Sequence, residues 1–153
     1  MYTAIVTGGT KGIGYGITEA LLGAGGRVMI TGRDAAGVAD AVARLGTGAG
    51  AGSRVIGWAV DVRDRAAVDA MVAEAVSKFG SLNTLINNAG VGLFTAVEQT
   101  TDDDWSRVIE TNLTGVFYCF RAAIPALRQT GGGWMINIAS LAGRNYFANA
   151  SAW

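Results

Sequence analysis

The stretch TGGTKGIG, Thr7 to Gly14, is the part of this chain best suited to chemistry, and that chemistry is the holding of a diphosphate. It stands between a short apolar run, TAIV, and a helical pattern, the context in which clustered glycines acquire a defined task. Glycine lets the backbone turn tightly and approach a phosphate, whose charge is met by free N–H groups and the positive end of the helix dipole. Lys11 inside the turn and Arg33 after the next apolar run add cations to the same neighbourhood. The single cysteine, Cys119, lies in the apolar segment GVFYCFRAA and is expected to be a buried structural thiol. The absence of histidine excludes zinc sites built on imidazole and triads with a histidine base, and no metal site is expected.

The elements that must position these residues follow from the apolar patterning. TAIV (Thr3 to Val6), RVMI (Arg27 to Ile30), RVIGWAV (Arg54 to Val60), TLIN (Thr84 to Asn87) and WMINI (Trp134 to Ile138) are short, rich in branched residues and bounded by glycine or polar residues. Each is expected to be a buried strand. Between them Ile13, Ile17, Ala20, Leu21 and Ala24 share one helical face, as do Val68, Met71, Val72, Ala75, Val76 and Phe79. A longer pattern at the same period joins Trp105, Val108, Ile109, Leu113, Val116, Phe117, Phe120, Ile124 and Leu127. A weaker helix spans about Asp34 to Leu45, and GTGAGAGS after it reads as a glycine-rich loop. Strands alternating with helices predict an α/β fold, a doubly wound parallel sheet of Rossmann type with five strands, in one domain over residues 1–153.

Twelve basic residues balance twelve acidic ones, so no net field draws the chain to nucleic acid or to an anionic membrane. No run approaches the ~18 apolar residues of a membrane span, and the opening MYTAIVTGGT lacks the features of a leader. A cytoplasmic protein whose partners are small molecules or further subunits is expected.

The chain resembles the short-chain dehydrogenase/reductase family, including members like the 3-oxoacyl-carrier-protein reductases. The resemblance rests on Thr7 to Gly14, on Asp61 and Val62 after the third strand, on NNAG at Asn87 to Gly90, on Asn112 in the long helix and on INIAS ending at Ser140. It implies an oxidoreductase that moves a hydride between a nicotinamide cofactor and a small carbonyl or alcohol substrate. It also implies that Gly8, Thr10, Lys11, Gly12, Ile13 and Gly14 wrap the cofactor diphosphate and adenosine ribose, that Asp61 and Val62 border the adenine, and that Asn88, Ala89 and Gly90 line the path toward the nicotinamide.

Preference for NAD requires a carboxylate about 20 residues beyond the glycine turn, whereas NADP requires cations for its 2′-phosphate. The resemblance aligns Gly32 with the acid position, and Arg33 follows it directly. With Lys11 near by, NADP is expected rather than NAD. Asp34 is an alternative acid, but it is placed to cap the helix that begins there.

By the same resemblance Ser140 polarises the carbonyl and Asn112 orders a proton-relay water. The family's catalytic tyrosine stands thirteen positions after the serine, with a lysine four residues later; here that position is Trp153, and the sequence contains no such lysine. Tyr146, the one phenol near by, is seven positions too early and is expected to pack beside the substrate. The 153-residue chain alone is therefore expected to be inactive. Three accounts stay open: a portion of an ordinary reductase, a short protein serving as a non-catalytic nucleotide-binding or interaction module, and a Rossmann-like domain outside nicotinamide chemistry. Missing the family's later strands, the fifth strand would be an edge, and association through it and the long helix is expected.

Overall fold

The computed structural model describes residues 2–48 and 52–145, and Tyr146 and Trp153 lie outside the described residues. Five parallel strands form one sheet: β1 (Thr3–Val6), β2 (Arg27–Gly32), β3 (Val55–Ala59), β4 (Thr84–Asn87) and β5 (Trp134–Asn137), in the order β3-β2-β1-β4-β5. The helices between them are α1 (Gly12–Gly23), α2 (Ala35–Gly48), α3 (Arg65–Phe79), α4 (Asp102–Ile109) and α5 (Gly115–Gln129). The chain leaves β1 in opposite directions toward β2 and β4, which opens a crevice at the carboxyl ends of these strands. Ile5 pairs in register with Met29 on one side and Leu85 on the other.

Alternation along the central strands divides the core between the two faces of the sheet. Ile5, Met29 and Leu85 pack with Met71, Ala75 and Cys119 from α3 and α5. Ala4, Val6, Val28, Ile30 and Ile86 pack with Leu22, Ala41 and Leu45 from α1 and α2. Ile5 is fully buried in the middle of the sheet. Ile5→Ala should lower unfolding stability by about 2–5 kcal/mol, the range for a large core side chain cut to a methyl, and urea denaturation with an unchanged m-value is the check.

α3 buries the face expected of it, Val68, Met71, Val72, Ala75 and Phe79. It begins where Asp64 accepts from Ala67 N and ends at Gly80, whose φ of 77° suits glycine. β5, expected to be a buried strand, is exposed at all four residues because it lies at the sheet edge, and three expectations about the helices also need correction. The buried stripe of α1 is Gly14, Thr18 and Leu22, while Ile17 and Leu21 flank it and Ile13 is 66% exposed. The glycine turn fixes this rotation, because Gly14 sits against the Asn88 amide and the Gly8 carbonyl, where no side chain fits. α2 continues through Gly48, so the first residues of the expected glycine-rich loop are helical.

The third correction concerns the long helix, which is interrupted by a π-helical turn at Glu110–Thr114 between α4 and α5. The wider turn shifts the helical phase, so the buried stripe is Val108, Gly115, Cys119, Ala123 and Leu127. Trp105, Leu113 and Phe117 are exposed instead. Gly115 is the contact that needs this phase: a Cβ there would stand 2.8 Å from Val62 Cγ2.

Candidate functional site

A cleft of about 890 Å³ opens over the carboxyl ends of β1, β2 and β3 and the segment after β4. Of the residues expected to hold a cofactor, Gly8, Thr10, Lys11, Gly12, Ile13, Arg33, Asp61, Val62, Asn88, Ala89 and Gly90 all line it. Gly14 is the one that does not; it is the buried seat of α1 on Asn88. Gly32, Thr31, Val60, Val91 and Thr111 complete much of the wall.

The glycine turn is held from within by Thr7 and Asn88. Thr7 Oγ1 accepts from Asn88 N and Ala89 N, each at 3.0 Å. Asn88 Nδ2 donates to the carbonyls of Thr7 at 3.0 Å and Gly8 at 2.9 Å. These four bonds lock the NNAG segment to the turn and leave little room: Gly8, at φ 65°, would bring a Cβ within 2.9 Å of Ala89 Cα. Gly12 also has a positive φ, 56°, which an L side chain rarely adopts. α1 has no side-chain cap on its first turn, so its leading N–H groups remain for an anion.

At the end of β2, Asp34 accepts from Gly37 N at 2.9 Å and Ala36 N at 3.3 Å. Its carboxylate serves the start of α2, as its position suggested. Gly32 is confined as well: a Cβ there would lie 2.9 Å from Thr10 Cγ2 and 3.2 Å from Val38 Cγ2. Asp61 is gripped by Arg63, whose Nη2 donates to Asp61 Oδ2 at 2.6 Å. That hydrogen-bonded guanidinium holds the Asp61 carboxyl below its usual range, and burial opposes it.

Asn112 sits on the π turn, not within regular helix, and both ends of its side-chain amide bond to Val91. Its Oδ1 accepts from Val91 N at 2.9 Å and its Nδ2 donates to Val91 O at 2.8 Å, so the amide clamps the segment after NNAG. Ser140 follows β5 and its Oγ accepts from Ala142 N at 3.1 Å, which leaves its own hydrogen available. Neither residue lines the cleft. Cys119 is buried as expected, and burial pushes its thiol up to about 12, so it stays protonated and unreactive at neutral pH. Among the described residues no cluster of acidic or thiol side chains has the makings of a metal site.

The sequence pattern includes Thr7 in the glycine motif without giving it a role of its own, and it singles out neither Arg63 nor Thr111. The signal for Thr7 was present in its hydroxyl at the end of a buried strand, but the bonds it makes reach across some eighty residues. Among the described residues no helix is long and apolar enough to cross a membrane.

Comparison with known proteins agrees with this geometry. The chain is 38% identical over 151 residues to a D-beta-hydroxybutyrate dehydrogenase of Cupriavidus necator, covering 99% of this chain and 57% of that enzyme. It is 36% identical over 141 residues to a 3-oxoacyl-[acyl-carrier-protein] reductase of Staphylococcus aureus, covering 92% of this chain and 56% of that enzyme. The crystal structure of a metagenomic short-chain oxidoreductase in complex with NADP superposes with a TM-score of 0.88 at 32% identity, covering 98% of this chain and 67% of that one. The chain thus spans little more than half the length of these curated relatives. The short chain dehydrogenase family matches it over residues 2–153, and with the glycine turn, the NNAG lock and the parallel sheet all in their places, the chain belongs to that family.

Proposed function

We propose that this chain is the nucleotide-binding portion of an NADP(H)-dependent oxidoreductase acting between a carbonyl and an alcohol, and that the 153-residue polypeptide alone binds cofactor without turning over. The observation that carries the reading is the wall at the end of β2. Gly32 places no carboxylate there, and an acid at that position would have to displace Thr10 and Val38. Asp34 is committed to α2. Arg33 and Lys11 line the same cleft and offer positive charge to a 2′-phosphate.

When bound, the dinucleotide supplies or accepts the hydride. The residues of this chain hold it: the uncapped start of α1 meets the diphosphate, while Gly8 and Gly12 let the backbone come close. Ser140 keeps a free hydroxyl hydrogen for the substrate oxygen. Asn112, through Val91, fixes the wall beyond NNAG. Calorimetric titration tests the cofactor assignment: NADPH should bind more tightly than NADH, and equal affinities or a preference for NADH would remove it.

The same reading includes self-association, in a cytoplasmic setting. All four residues of β5 are exposed at the edge of the sheet, with Trp134 at 68%, and Leu113 and Phe117 are exposed before and within α5. An apolar strand edge with open N–H and C=O groups favours pairing with another chain. Sedimentation across a range of concentrations should show species heavier than the monomer; a single monomeric boundary throughout would contradict this.

A further inference from the structure

We propose that Arg44 is a positioning residue for cofactor choice: from α2 it fixes the Thr10–Lys11 peptide, and so keeps Lys11 in place as the partner of Arg33 for a 2′-phosphate. This rests on the NADP reading above and adds to it a residue that does not itself line the cleft.

The glycine turn is held in two parts. Its first part is tied to the sheet and to NNAG: Gly9 N donates to Thr31 O at 3.0 Å, and Asn88 Nδ2 donates to the carbonyls of Thr7 and Gly8. Its second part begins at Thr10, whose methyl lies against Gly32, and Lys11 follows it in the wall of the same cleft. There Arg44 Nη2 donates to the Thr10 carbonyl at 3.4 Å. A peptide unit is planar, so a held Thr10 carbonyl also fixes the N–H of Lys11 and the Cα from which the lysine side chain departs.

Two further contacts fix the position from which Arg44 reaches that carbonyl. Its Nε pairs with Asp40 Oδ2 at 3.1 Å, one turn earlier in α2, and its guanidinium carbon lies 4.9 Å from the centre of the Tyr15 ring in α1. Pairing and stacking together restrict a side chain that would otherwise sample many rotamers. One guanidinium thus spans α2, α1 and the turn. The Arg44 and Asp40 side chains are 54% and 69% exposed, so their ion pair adds little to the stability of the fold. What the bridge sets is the place of one peptide in the cleft wall. Lysine cannot replace it, because one ammonium on a flexible stem does not offer two donors in a fixed fork. A direct attraction between residue 44 and the phosphate would survive R44K, and the bridge would not.

The test titrates 2′-phospho-ADP-ribose and ADP-ribose into the 153-residue chain and its R44K and R44Q variants, with thermal melts alongside. Neither ligand carries the nicotinamide, so the readout stays with the phosphates and the adenosine. Wild type should prefer the 2′-phosphorylated ligand by at least about tenfold, the worth of one hydrogen bond to a charged group. Both variants should bind that ligand roughly three- to tenfold more weakly, the scale of one ordinary hydrogen bond. They should bind ADP-ribose within about twofold of wild type and melt within about 3 °C of it, as exposed substitutions do. R44K carries the test alone if R44Q does not fold. R44K at wild-type affinity overturns the bridge in favour of charge. Equal losses for both ligands overturn the selective role, since Arg44 then holds the whole turn. Folded variants unchanged toward both ligands overturn any role for Arg44 and leave the NADP reading intact. Wild type that does not distinguish the ligands overturns that reading and this inference with it, and wild type that binds neither overturns the nucleotide reading as well.

Discussion

Joined to the C-terminal half of a relative that supplies the tyrosine and lysine, this chain should reduce an activated ketone with NADPH, and Ser140→Ala should then lower kcat by about 10²–10³-fold. The serine stands three residues beyond the end of β5, at the start of the turn Leu141–Gly143, and the Ala142 N–H fixes its hydroxyl oxygen. Its remaining hydrogen can therefore stabilise charge developing on a carbonyl oxygen without first being reoriented. Alanine removes that donor and the acceptor for the Ala142 N–H, and little packing, because the residue is exposed.

The 153-residue chain by itself should give no turnover above background under the same conditions. On the proposed reading Trp153 stands where the family resemblance expects the proton-donating phenol, and an indole N–H does not titrate in water. Trp153→Tyr alone should not restore activity: a phenol without a neighbouring cation keeps its pKa near ~10 and donates poorly at neutral pH. Steady-state assays with the unmodified chain, the single substitution, the completed chain and its Ser140→Ala form separate these statements. Turnover by the unmodified chain would refute the assignment and turn attention to Tyr146.

The strands and the phosphate-binding turn were legible because each depends on local pattern. Runs such as TAIV and TLIN carry branched residues between polar or glycine boundaries, and the structure ends those strands at the expected residues. The faces of α1 and α5 were not legible, for a different reason in each case. α1 is rotated by a single close approach of Gly14 to Asn88, a contact between segments far apart in sequence. In α5 the phase depends on one π turn, and the apolar residues around Asn112 fit an unbroken helix equally well. Arg63 illustrates the limit for the site. Its arginine in DVRD looks like ordinary surface charge until the turn after β3 folds the guanidinium back onto Asp61.

Arg33→Ala should weaken NADPH binding by about 1.5–3 kcal/mol, roughly tenfold to a hundredfold, the range for a hydrogen bond to a charged group, while leaving NADH nearly unaffected. The asymmetry follows from the ligands, which differ only by the 2′-phosphate. In the cleft Arg33 is exposed, so the loss should shrink as salt is raised and fall toward the lower end of the range at high ionic strength. Lys11 lines the same cleft and should hold back part of the NADPH preference in the single variant. The companion substitution Gly32→Asp separates charge from space. It brings a carboxylate to the 2′ position, but its Cβ must first displace the Thr10 methyl, which stands 2.9 Å away. It should therefore reduce affinity for NADPH more than it raises affinity for NADH. If Arg33→Ala affects both cofactors equally, the guanidinium acts on the fold of the turn instead of the phosphate, and the basis for NADP over NAD in this chain disappears.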